Sequence, residues 1–175
     1  MAILQIITAP DPILEKRSLE VGVVDQDIQT LMTDMLATMY ENNGVGLAAV
    51  QVGILKRIIV LDLQNDDEVE RKKGFYPLFM ADSKITAQSN EKISKLEGCL
   101  SVPEQRIAVE RPESIIVEYT DYNNKKQKLE AAGWLARAIQ HEIDHTDGKL
   151  LIHYLSLMKQ DIVKRKLQKR KRHSL

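Results

Sequence analysis

Gln140-His141-Glu142-Ile143-Asp144-His145 carries two histidines four residues apart, with a glutamate directly after the first. From Trp134 the residues follow a helical period through His145. Four residues advance a helix by slightly more than one turn, so both imidazoles leave one face and can share a metal ion. Glu142 can then reach water on that ion as a general base. Two surface histidines beside an acid would give the same letters, so the pattern gains meaning only from a third ligand elsewhere.

The position of that ligand discriminates between enzyme classes. A His-x-x-Gly-x-x-His continuation would run through Gly148, but Leu151 stands where the third histidine belongs. A later glutamate is also missing, since the only acids after His145 are Asp147 and Asp161. Both of the common HExxH peptidase arrangements are therefore disfavoured. Two candidates remain on the residues alone, Cys99 upstream and His153 downstream. A thiolate is a strong soft ligand, although a lone cysteine can equally be a small core residue. Cys99 sits in Glu97-Gly98-Cys99-Leu100-Ser101-Val102-Pro103, where glycine permits close backbone approach and proline ends regular pairing.

Outward from this helix, Asp25 to Glu41 places Ile28, Leu31, Met32, Met35, Leu36 and Met39 on one helical stripe, ended by Asn43-Gly44. Gly44 to Gly53 is a small-residue segment without phosphate-loop spacing, and it reads as a turn packed on a helix. Arg57 to Leu63, Phe75 to Met80, Ile107 to Val109, Ser114 to Thr120 and Gln127 to Ala131 read as strands, mostly antiparallel. Gln64 to Gly74 reads as a charged loop, and the last helix is expected over about 154–170. Strands without regular βαβ alternation indicate an α+β fold, with antiparallel sheets around the HExxH helix and a C-terminal helix.

The 175 residues, 43% of them hydrophobic, suit one domain spanning 1–175. Lysine plus arginine and aspartate plus glutamate number 25 each, so any nucleic-acid or membrane contact must come from a local patch. One cysteine excludes an intrachain disulfide and suits a reducing compartment. No run of about 18 apolar residues and no basic, apolar leader is present, so a cytoplasmic, membrane-free protein is expected.

Gly44-Val45-Gly46-Leu47-Ala48-Ala49-Val50-Gln51, Glu97-Gly98-Cys99-Leu100-Ser101 and Gln140 to His145, in this order, resemble the three motifs of the peptide deformylase family. The similarity runs from Ala9-Pro10-Asp11 through Pro103-Glu104-Gln105-Arg106 to the basic terminal helix. It implies removal of the formyl group from the N-terminal formylmethionine of nascent polypeptides, releasing formate. By the same resemblance Cys99, His141 and His145 hold one divalent ion, with Fe²⁺ expected and Zn²⁺ or Ni²⁺ able to replace it. Glu142 moves the proton, and Gln51 with the Leu100 N–H stabilises the oxyanion. Gly46 and Gly98 let an extended peptide approach the backbone. Val45, Trp134 and Ala138 are the candidate methionine pocket, the last two on the helix face of His141 and His145. A monomer is expected.

The chain departs from the family pattern at Ala81-Asp82, where Asn-Pro is usual, at Thr146, where leucine is usual, and at His153, where aspartate is common. An alternative reading is therefore a weak or inactive deformylase-like metalloprotein associated with the ribosome. Asp144 reads as structural, paired with Arg111. Lys164 to His173 holds seven lysines and arginines and no acid. That run suits a solvated helix end or docking on ribosomal RNA phosphates.

Overall fold

The structure, a computed structural model, describes residues 1–64 and 74–173, so most of the expected charged loop lies outside the described residues. Among the described residues seven strands follow in chain order: β1 (Gly46–Ala48), β2 (Ile58–Leu61), β3 (Leu78–Gln88), β4 (Lys92–Cys99), β5 (Val102–Pro112), β6 (Ser114–Thr120) and β7 (Lys126–Ala132). Three α-helices accompany them among the described residues: α1 (Gln26–Glu41), α2 (Gly133–Thr146) and α3 (Leu157–His173). The strands form an antiparallel five-stranded sheet, ordered β1-β2-β3-β6-β7, and a separate β4-β5 hairpin. This is the α+β arrangement expected from the sequence.

The unbroken apolar run in β2 is explained by cover on both faces. Ile59 and Leu61 pack with Leu135, Ala136, Ile139 and Ile143 of α2, whereas Ile58 and Val60 pack with Ile28, Met32, Met35 and Met39 of α1. Each such side chain, fully withdrawn from water, contributes roughly 1.5–3 kcal/mol. Asp25 caps α1 by accepting the Ile28 N–H at 3.0 Å. The helix ends at Asn42, and Asn43 takes a left-handed φ of 53°. A third apolar cluster joins the hairpin residues Val102, Ile107 and Val109 to Leu150–Ile152 and to Val163 and Leu167 of α3. The HExxH helix therefore lies between the sheet and the hairpin, which brings residues from both to its face.

The departures from the family pattern are accommodated locally. Asp82 has a φ of 53°, and its carboxylate accepts the N–H groups of Val21 at 2.7 Å and Gly22 at 2.9 Å, tying the N-terminal segment to β3. Buried Thr146 donates its hydroxyl to the Ile143 carbonyl at 2.7 Å, so no polar group is stranded. His153 lies in the 3₁₀ turn Leu151–Tyr154, where its Nδ1 accepts the Leu150 N–H at 3.0 Å. His153 acts as a backbone cap and joins no cluster of metal-ligating groups among the described residues. The last helix begins later than expected because that turn and the extended Leu155 come first.

Candidate metal centre

The centre is assembled from the hairpin and α2. In β4 the register shifts between Glu97 and Cys99, and Cys99 then pairs with Val102 across the turn. A bulge of this kind bends the strand and re-aims the side chains that follow it. The Cys99 Sγ lies 3.3 Å from His145 Nε2. The His141 and His145 rings stand 5.1 Å apart at 72°. The ligand atoms of all three residues lie within 4.8 Å of one another. Atoms bound to one ion at about 2.0–2.3 Å sit roughly 3.3–3.8 Å from each other, so this donor set fits a tetrahedral metal.

The surroundings fit it too. His141 Nδ1 lies 2.9 Å from Glu97 Oε2. A carboxylate there holds the proton on Nδ1 and leaves the Nε2 lone pair for coordination. Glu97 also accepts Arg111 Nε at 2.7 Å, Arg111 Nη2 at 3.0 Å and Arg137 Nη1 at 2.7 Å. Burial opposes its charge, but the hydrogen bonds from His141 and Arg111 outweigh it and hold the carboxyl at about 2. Burial also opposes charge on His141, but hydrogen bonds to Cys99 and Glu97 prevail and raise its pKa well above the usual value. For His145, burial and then the positive charges of His141 and Arg111 depress it well below that value. Burial pushes Glu142 up to about 7. Its Oε2 and His145 Nδ1 are buried without hydrogen-bond partners among the described residues.

Gln51 lies in the 3₁₀ turn Ala49–Val52 and reaches back so that its Oε1 accepts the Ala48 N–H at 2.8 Å. An N–H can donate only to the amide oxygen, so Nε2 must face the other way. It lies 3.0 Å from Ser101 Oγ and 3.7 Å from Cys99 Sγ. Leu100 occupies the turn between β4 and β5. An open cleft of about 1020 Å³ runs over the centre, lined by Val45, Gly46, Gly98, Trp134 and Ala138. Gln51, Cys99, Leu100, His141 and Glu142 line it as well, while His145 is buried beneath. Lys95 Nζ sits 4.7 Å from the centre of the Trp134 ring.

Sequence reasoning left Glu97, Arg137, Tyr154 and Ser101 without roles. Arg137, His141 and Asp144 recur at i, i+4 and i+7, a charged stripe one residue away from the apolar one. That stripe was the available signal. The pairing of Asp144 with Arg111 is present at 2.9 Å.

Comparison with known proteins gives the same picture. A family model described as Polypeptide deformylase matches residues 3–161. Peptide deformylase from Rickettsia canadensis is 56% identical over 171 residues, which is 98% of each chain, and that from Rickettsia akari is 54% identical with the same coverage. The crystal structure of peptide deformylase from Ehrlichia chaffeensis superposes with a TM-score of 0.91 at 43% identity, covering 99% of each chain. A second structure of that enzyme, in complex with actinonin, gives 0.92 at 44% identity and covers 98% of this chain and 99% of the other. With matching motifs, matching fold and more than half of its residues shared with one relative along nearly the whole of both chains, the protein belongs to the polypeptide deformylase family.

Proposed function

We propose that this chain hydrolyses the formyl group from the N-terminal formylmethionine of nascent polypeptides, at one divalent ion held by Cys99, His141 and His145. The observation that carries the reading is the buried Glu142 carboxylate, with one oxygen lacking a hydrogen-bond partner among the described residues, beside one sulfur and two imidazole ligands that converge at the foot of an open cleft. The ion, Fe²⁺ by family resemblance and replaceable by Zn²⁺ or Ni²⁺, supplies Lewis acidity when bound.

The remaining steps belong to the chain. Glu142 takes a proton from the attacking water as the new C–O bond forms. The Gln51 Nε2 and the Leu100 N–H donate to the oxygen that becomes negative. As the C–N bond breaks, Glu142 returns the proton to the departing amine, leaving formate and a polypeptide with a free N-terminal methionine amine. Val45, Trp134 and Ala138 offer apolar surface to the methionine side chain, while the backbone at Gly46 and Gly98 takes an extended peptide. A formyl-Met-Ala-Ser peptide should release formate and expose one new amine, with acetyl-Met-Ala-Ser left untouched. Cleavage of internal peptide bonds would point instead to a general peptidase.

Gly46 has a specific part in this reading. A Cβ on Gly46 would lie 2.4 Å from Glu142 Oε1 and 2.9 Å from its Cγ and Cδ. Gly46→Ala must therefore displace the proton-carrying group. Turnover (kcat) should fall about 10–100-fold, the scale of a misplaced catalytic group. Unchanged turnover would show that Glu142 can shift without consequence.

We further propose that α3 docks on an RNA surface, with the chain acting as a cytoplasmic monomer. Val163 and Leu167 are buried, whereas Arg165, Lys166, Lys169 and Arg172 are exposed. Charge reversal at Arg165, Lys166 and Lys169 leaves the buried face intact. It should flatten the salt dependence of ribosome binding by about one unit per lost phosphate contact. An unchanged slope would reject the docking role.

A further inference from the structure

Four side chains connect His141 to the far side of α2. Glu97 fixes the His141 ring, and Arg111 fixes Glu97 through a two-pronged contact from Nε and Nη2, while Arg137 Nη1 holds Glu97 Oε1 at 2.7 Å. The remaining Arg111 nitrogen, Nη1, is shared by Asp144 Oδ2 at 2.9 Å and Tyr154 Oη at 3.1 Å. The Tyr154 hydroxyl in turn donates to Asp144 Oδ2 at 2.6 Å. The outer end is held by Lys149, whose Nζ sits 3.9 Å from the centre of the Tyr154 ring. Arg111, Asp144 and Tyr154 are absent from the lining of the cleft.

We infer that Tyr154 and Asp144 are positioning residues, which set the angle at which His141 presents its coordinating nitrogen by fixing the Arg111 fork against Glu97. The inference rests on the proposed metal-dependent reading. A planar guanidinium bound on three sides has one orientation, and the carboxylate it grips has one plane. The imidazole hydrogen-bonded to that carboxylate then keeps its lone pair aimed at the metal position. Without the tyrosine hydroxyl, Arg111 Nη1 retains Asp144 as its partner and is drawn towards it. The fork turns, the Glu97 carboxylate pivots about the Oε1 that Arg137 holds, and Oε2 carries the His141 ring to a new angle. Because these residues lie away from the cleft, substrate affinity should be unaffected.

The test uses the metal-loaded protein and Tyr154→Phe, which removes one oxygen and keeps the ring. Release of Zn²⁺ to excess chelator should accelerate about 10-fold, within the range for lost outer hydrogen bonds around a metal. The visible absorption bands of the Co²⁺-substituted protein should shift, and kcat should fall with KM unchanged. Asp144→Asn should produce the same three changes. If either variant melts at a lower temperature yet keeps the wild-type release rate and Co²⁺ spectrum, its residue is structural only and the inference is overturned. If the wild-type protein itself binds no ion and releases no formate, the functional reading beneath it falls as well.

Discussion

Glu142→Gln should lower formate release from a formyl-Met peptide by about 10³-fold, within the range for a general acid–base group. The amide has nearly the shape of the carboxylate, so the cleft, the three ligands and the substrate contacts remain. Only the capacity to take and return a proton is lost. Glu142 is 5% exposed and lies against Gly46, so a side chain of the same shape is the replacement the site accepts. Burial already disfavours its charge, so a neutral replacement should not destabilise the fold. Metal content and KM should match wild type. Retention of more than a tenth of the wild-type rate would mean that proton transfer runs through another group.

Cys99→Ala should have an effect of similar size through a different step. Losing a ligand should weaken metal binding by more than the roughly 10–100-fold expected for an outer hydrogen bond. The protein should emerge from desalting without metal, and formate release should drop to background. The metal-free variant should melt close to metal-free wild type, because a small, half-buried side chain is replaced by one slightly smaller. Elemental analysis and calorimetry separate the two effects. A variant that keeps one ion per chain would exclude the thiolate from the ligand set.

The parts legible in the sequence were those governed by a single period. α1, β2, β6, β7 and α2 each carry a clear apolar stripe, run or alternation, and their boundaries lie within two residues of expectation. β4 was illegible for a physical reason. Its inward positions hold Ile93, Lys95, Glu97 and Cys99, while Leu96 points outward and is 60% exposed, so its hydrophobic alternation is inverted. The second half of β3 is mostly exposed and polar, which hid its length. β1 is only three residues and lay inside a segment read as a turn.

The site divides in a similar way. Spacing on one helix placed His141, Glu142 and His145, but spacing alone could not choose between Cys99 and His153. The resemblance of the Glu97 to Ser101 motif pointed to Cys99, and the folded chain adds a bulge in β4 that brings Cys99 beside the two histidines and a capping hydrogen bond that engages His153 at Leu150. Glu97 and its arginines were hidden because buried ion networks join residues distant in sequence, such as Glu97 and Arg137.

The most direct test of the account is a metal titration. Protein stripped of metal, confirmed by elemental analysis, is given Fe²⁺ anaerobically while formate release from formyl-Met-Ala-Ser is followed. Activity should rise linearly from background and stop at one ion per chain, with Cys99→Ala flat throughout. Full activity in the stripped protein would contradict the claim that Cys99, His141 and His145 form the catalytic metal centre.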